Sequence, residues 1–177
     1  MLFVRHYASP LGDILIAADE IDLTGLWFEG QKYFPDALAE AAQDKETPIL
    51  RSAALWLDGY FRGERPDFTP PLHPSGTPFR RAVWDLLLEI PFGETVTYGD
   101  IARRLAAEHH LPGMSAQAVG GAVGHNPISV IIPCHRVVGA GGSLTGYAGG
   151  IEKKAYLLAL ERGVPLHGTS ERNKENC

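Results

Sequence analysis

The chain has 177 residues, 45% of them hydrophobic, enough for one domain or two small ones around a packed core. No apolar run approaches the ~20 residues that span a bilayer, and the opening Met1-Leu2-Phe3-Val4-Arg5-His6 lacks the layout of a signal peptide. The net charge of −5 is uneven: residues 1–77 carry six basic against twelve acidic side chains, and residues 78–163 carry eight against seven. Only the second half is therefore expected to meet a polyanion, and with few phosphate contacts. Two cysteines, Cys134 and the terminal Cys177, make no disulfide framework, which implies a reducing, cytoplasmic setting.

The chain opens as β structure: Leu2–Ala8, a turn at Ser9-Pro10-Leu11-Gly12-Asp13, then apolar runs Ile14–Ala18 and Leu23–Phe28. Leu50, Ala54, Leu57 and Phe61 recur at helical spacing and predict a helix over Pro48–Phe61. Residues 63–77 hold four prolines, with a fifth at Pro78, and read as a linker. A helix over Pro78–Leu88 follows, with Pro at its first turn and a stripe of Phe79, Val83, Trp84 and Leu87. Pro91-Phe92-Gly93 ends it. Thr97 and Asp100 form a capping-box pattern that opens a helix over Tyr98–Ala107. After a turn from Glu108 to Met114, Ser115 can cap a helix from Ala116 to about Gly124. Two short helices about a turn make a helix-turn-helix pattern, equally consistent with a plain helical hairpin. Gly120 and Gly121 each cost that helix about 1 kcal/mol relative to Ala. Either a close neighbour or an approaching ligand would explain them. The last helix, Ile151–Arg162, has Tyr156, Leu157 and Leu160 as its expected inner face. The predicted class is α+β: a small mixed sheet-and-helix unit (1–77), a mainly helical unit (78–166), and a polar tail (167–177).

Ile131-Ile132-Pro133-Cys134-His135-Arg136-Val137-Val138 sets a lone cysteine between an apolar run and a cationic pair. An adjacent His or Arg favours the thiolate, and Pro with β-branched neighbours would hold the sulfur in place. Alternatively, Cys134 is simply a small buried hydrophobe. Glycine-rich stretches Gly139–Gly142 and Gly146-Tyr147-Ala148-Gly149-Gly150 leave room for a flat ligand near exposed backbone groups. Glu161 lies at a helix C-terminus, where the dipole disfavours a carboxylate, so it needs a partner. His135 is the obvious one, since a carboxylate can orient an imidazole that takes a thiol proton. A surface glutamate is the other reading.

Pro133-Cys134-His135-Arg136-Val137-Val138, with Gly120-Gly121-Ala122 and Asn126-Pro127 upstream and Gly146-Tyr147-Ala148-Gly149-Gly150 downstream, closely resembles the O6-alkylguanine-DNA alkyltransferases. The resemblance is strong over 78–163, and Ser9-Pro10-Leu11-Gly12 looks like the family's N-terminal domain. It implies that Cys134 accepts an alkyl group from guanine O6 in duplex DNA, irreversibly and once per molecule. His135 would be its base, acting through a water, and Glu161 would orient the imidazole. Tyr98 would donate a hydrogen bond to the flipped guanine, Asn126 would brace the loop, and Tyr147 would line or close the pocket. Backbone at Val137, Ala148 and Gly149 would read the base, while Ser115, Gln117, Gly120, Gly121 and Arg136 would contact DNA through a helix-turn-helix in the minor groove. It further implies a monomer with no cofactor or metal and no membrane, in the cytoplasm or on the nucleoid of a prokaryote.

The sequence departs from the family at four points. Gln117 stands where an arginine commonly fills the gap left by the flipped base, and the segment before that helix is longer than in many relatives. Residues 1–77 contain no cysteine for the zinc site of some members, and Ala148 replaces a serine. A DNA-binding damage sensor without transfer, and a Cys-His-Glu thiol hydrolase, are the competing readings. The first replaces the cysteine that is present here, and the second leaves the helix-turn-helix unexplained.

Overall fold

A computed structural model describes residues 1–164. Strands β1 (Phe3–Ser9) and β2 (Gly12–Ala18) form an antiparallel hairpin paired from Ser9↔Gly12 to Phe3↔Ala18. The Ser9 hydroxyl caps its turn, accepting from Leu11 N at 3.1 Å and donating to Gly12 O at 2.6 Å. Strand β3 (Leu23–Phe28) pairs antiparallel with β2, and a two-residue β4 (Gln43–Asp44) runs parallel to β1, giving the order β3-β2-β1-β4. Every residue of Ile14–Ala18 is buried because both sheet faces are covered. Alternation along the strand sends Ile14, Ile16 and Ala18 toward the main core, with helix α2 (Pro48–Phe61), and Leu15 and Ala17 to the other face. There Trp27, Phe34 and Leu38 seal a small second cluster with the short helix α1 (Asp36–Ala41). Neither α1 nor β4 has a sequence pattern long enough to announce it.

The mainly helical half contains α3 (Pro78–Leu87), α4 (Tyr98–Glu108), α5 (Ala116–Gly124) and α6 (Ile151–Glu161). Trp84 Nε1 donates to Ala122 O at 2.8 Å, tying α3 to α5. The capping box closes on both sides: Thr97 Oγ1 accepts from Asp100 N at 3.0 Å, and Asp100 Oδ2 accepts from Thr97 N at 2.9 Å. Short strands β5 (Val96–Thr97) and β6 (Val137–Val138) pair in parallel, Val96 opposite Val137 and Thr97 opposite Val138. That pairing sets Tyr98, the first residue of α4, beside the segment that carries Cys134.

Two expectations change. The proline-rich stretch is not a free linker: Leu23 N donates to Pro71 O at 2.7 Å and His73 N to Leu23 O at 2.9 Å, so it docks on the open edge of β3. Farther along that edge, Leu26 N donates to Pro127 O and Leu26 O accepts from Ser129 N, each at 2.9 Å. Both segments cover an edge that would otherwise be unpaired, and one buried apolar cluster runs through both halves. The inner face of α6 also differs. Lys154, Leu157, Leu158 and Glu161 are buried, whereas Tyr156 and Leu160 pack at its margin. Residues 167–177, read as a tail, lie outside the described residues.

The cap at Thr97 yields a stability test. Thr97→Ala removes the oxygen that accepts from Asp100 N and is expected to lower unfolding free energy by about 1 kcal/mol in urea titration. An unchanged midpoint would show that packing alone fixes the start of α4.

Candidate active site

Cys134, His135 and Arg136 occupy a single 3₁₀ turn, buried on all three side chains. The approach to this turn is rigid. Asn126 donates through Nδ2 to Ile132 O at 2.8 Å and accepts at Oδ1 from Ile128 N at 3.0 Å, pinning both ends of the loop before Pro133. Within that loop Val130 is fully buried at φ 69°, a left-handed conformation that strains a β-branched residue. Its neighbours hold it there.

Glu161, 7% exposed, gathers the turn. Its Oε2 bonds to His135 Nε2 and accepts from the Tyr60 hydroxyl at 2.6 Å. Its Oε1 accepts from Arg136 Nε at 2.7 Å and from Gly93 N at 3.0 Å. Burial works against the carboxylate, but His135 and Arg136 outweigh it and hold its pKa down to about 2. The expectation that Arg136 contacts DNA is corrected here. Arg136 is 8% exposed, its second bond goes to Ile90 O at 2.7 Å, and its guanidinium lies over Phe92. It faces inward because a carboxylate at a helix C-terminus needs a cation.

Burial pulls the His135 imidazole below its ordinary pKa, against the pull of Glu161, and pushes the Cys134 thiol above its own. The resting pair is therefore a neutral thiol beside a neutral ring. With Nε2 on Glu161, the free nitrogen is Nδ1, buried and without a protein partner. Asn126, Lys154 and the backbone amides of Cys134 and His135 favour the thiolate, in that order. Tyr147 and Tyr98 border the sulfur. Burial raises the pKa of both hydroxyls, and Cys134 raises them further. Tyr98 Oη donates to Thr145 O at 2.9 Å and Gly146 O at 3.2 Å.

A cavity of about 580 Å³ is lined among others by Tyr98, Gln117, Gly120, Gly121, Tyr147 and Ala148, and Cys134 lies behind Tyr147 rather than in its lining. Ser115 lies at its edge as the N-cap of α5, accepting from Gln117 N and Ala118 N at 3.1 and 3.3 Å. A Cβ added at Gly121 would meet nothing within 4 Å, and one at Gly120 would only touch the Tyr98 ring at 3.9 Å. Protein packing does not demand these glycines; the open face of α5 does not need them unless something else approaches. Gly149 is the opposite case and is not a cavity residue. A Cβ there would lie 3.0 Å from Tyr147 and 3.3 Å from Phe28, so it is glycine for packing. The carbonyls of Val137 and Ala148 already accept bonds, from Lys154 Nζ and from Lys32 N respectively.

Two site residues escaped the sequence reading. Tyr60 comes from α2 in the first half, one step round from the Phe61 assigned to the stripe. Lys154, fully buried, donates to Val137 O and to Thr145 O (3.1 Å), and so ties both glycine-rich segments together. The signal for Lys154 was available: it lies three and seven residues before Leu157 and Glu161, on one helix face. Among the described residues no group of three or more His, Cys, Asp or Glu side chains is placed to hold a metal, and no helix is long and apolar enough to cross a membrane.

Comparison with known proteins finds two family models in tandem. Residues 2–74 match the ribonuclease-like domain, and residues 78–163 the DNA-binding domain, of 6-O-methylguanine DNA methyltransferase. A methylated-DNA–protein-cysteine methyltransferase of Haemophilus influenzae is 42% identical over 98% of this chain and 93% of its own. One from Methanosarcina acetivorans is 44% identical over 90% and 98%. The structure of Mycobacterium tuberculosis OGT in complex with DNA superposes with a TM-score of 0.79 at 41% identity, covering 93% of this chain and 96% of that one.

The charge arrangement fixes a pH response. Glu161 titrates lower in the folded protein than in the unfolded chain, so its contribution is complete above the ordinary carboxylate range and is lost as pH falls toward about 2. His135, held neutral by burial, adds a loss of the same sign below its ordinary range. Urea titrations of Glu161→Gln are expected to show lower stability at neutral pH, with Arg136 left unpaired, and a shallower decline between pH 5 and pH 2 than wild type. Parallel profiles would show that Glu161 titrates normally.

Proposed function

The chain belongs to the 6-O-methylguanine DNA methyltransferase family, and from that premise we propose that it repairs duplex DNA by moving the alkyl group of O6-alkylguanine irreversibly onto its own Cys134. The observation that carries this reading is the hydrogen-bonded series Glu161–His135 on the same turn as a buried cysteine. A carboxylate on Nε2 leaves Nδ1 as the basic nitrogen. The thiol proton passes to Nδ1, relayed by a water, as the sulfur attacks the alkyl carbon. The carbon–O6 bond breaks with its electron pair leaving on guanine. The imidazolium that forms is stabilised by Glu161, which Tyr60, Arg136 and the Gly93 amide keep in place and ionised. Because a thioether has no hydrolysable bond, one molecule repairs one lesion.

O6 lies inside the duplex, so the base must leave the stack to reach a cysteine only 4% exposed. The cavity is within the usual size range of small-ligand sites. Tyr98 supports the leaving guanine by turning its hydroxyl from the Thr145 and Gly146 carbonyls to the base. The open glycine face of α5, with Ser115 and Gln117 at its start, lies against the minor groove. Residues 1–77 and 78–166 serve as its two units, and the protein works as a monomer in the cytoplasm or nucleoid.

Intact-mass measurement after incubation with an O6-methylguanine duplex tests the reading. Wild type is expected to gain one methyl per chain, mapped to Cys134, while Cys134→Ala gains none and still binds the lesion. A methyl on Cys177, or repeated turnover, would overturn it. Gln117→Arg is expected to tighten binding at low salt and steepen the slope of log affinity against log salt by about one. Identical slopes would remove Gln117 from the DNA face.

A further inference from the structure

One wall of the cavity comes from the acidic half. Beyond β3, the Lys32 amide donates to Ala148 O at 2.9 Å, fastening the chain across the mouth. Tyr33 follows at φ 64°, a conformation that costs a residue with a Cβ about 1 kcal/mol or more. Its ring stacks on His125 at the end of α5, centroids 4.1 Å apart and planes at 23°. His125 is set in turn by Nδ1, 2.7 Å from Gly121 O. Tyr33 still keeps 52% of its surface exposed, so burial offsets little of that strain. Lys32 Nζ stands 5.1 Å from the Tyr33 ring and, among the described residues, has no ion pair. By contrast, Arg5 and Arg51 are paired with Glu46, and Arg62 with Glu64. Lys32, Tyr33 and His125 all line the same cavity as Gln117 and Gly121.

We propose that Lys32 and Tyr33 form a DNA-contacting lip, an inference that rests on the transfer reading above. The Tyr33–His125 stack presents an aromatic face to an unstacked base at the lesion, and the Lys32 ammonium takes the phosphate beside it. Every base has a π-face, so such a platform serves any sequence context. A net charge of −6 over residues 1–77 does not forbid the contact, because the unpaired cation sits at the one point of that half that reaches the cavity.

The test compares methyl transfer from a lesion duplex with alkylation of Cys134 by iodoacetamide, which needs no DNA. Tyr33→Ala and Tyr33→Gly are expected to lower the duplex rate about tenfold relative to the iodoacetamide rate, the size of one lost base stack. Tyr33→Gly relieves the positive φ, so a fall there cannot be assigned to backbone strain. Tyr33→Phe is expected to retain the ratio, and Lys32→Ala to reduce the salt slope of duplex binding by about one. An unchanged ratio in both Tyr33 variants overturns the lip and leaves the transfer reading standing, and an unchanged slope removes Lys32 from it. A wild type that takes no methyl from the duplex overturns both.

Discussion

A buried carboxylate with four donors is the constraint around which this molecule is arranged. Glu161 draws one donor from α2, one from the turn after α3 and two from the cysteine-bearing turn. Removing any part leaves a charge or a polar group stranded where water cannot reach it, at a cost larger than most surface contacts contribute. The two halves of the chain are therefore not independent. The first half supplies Tyr60 to the network and strand β3 to the loop that Asn126 braces.

The same burial explains how a thiol can be both protected and poised. Desolvation raises the cysteine and lowers the histidine, so the proton stays on sulfur in the closed site. Short-range donors and the Lys154 cation, already in place, pull the other way. Little reorganisation is then needed when a base arrives and the proton moves. A thiol exposed as a standing thiolate would be open to any small oxidant or alkylator. Here the cysteine is buried behind Tyr147, which with Tyr98 lines the neighbouring cavity.

Local chemistry in the sequence made most elements legible. The hairpin turn, the capping box at Thr97 and Asp100, and the Pro-started helices each rest on residues within four positions of one another, and each formed within a residue or two of its expected bounds. The pairing of Glu161 with His135 could be argued from a helix dipole alone. What escaped depends on the far side of the fold. Arg136 reads as a surface cation until Glu161, 25 residues on, is seen to need it. Tyr60 is 101 residues from its acceptor, and no local period marks it. Gly149 reads as substrate clearance beside a pocket motif, but Phe28 from β3 is what leaves no room for a side chain. The prolines of residues 63–77 signal irregular backbone correctly, yet cannot say that this backbone pairs with an edge strand.

Charge reading fails in a related way. A half-chain sum treats every residue as if it faced the same partner, whereas fields at a surface are screened within about 10 Å at ordinary ionic strength. Two arginines of the first half are spent on Glu46 and another on Glu64, far in sequence from the cavity wall. Among the described residues that line the cavity, Lys32 is the only lysine or arginine, and Gln117 sits on α5, a helix that carries neither. If the lip proposed above holds, a neutral helix and a basic lip would divide between them what the resemblance assigns to an arginine on the helix. On the transfer reading, that division would move the positive charge from the groove to its rim, where it would guide a phosphate without competing for the space that an everted base leaves.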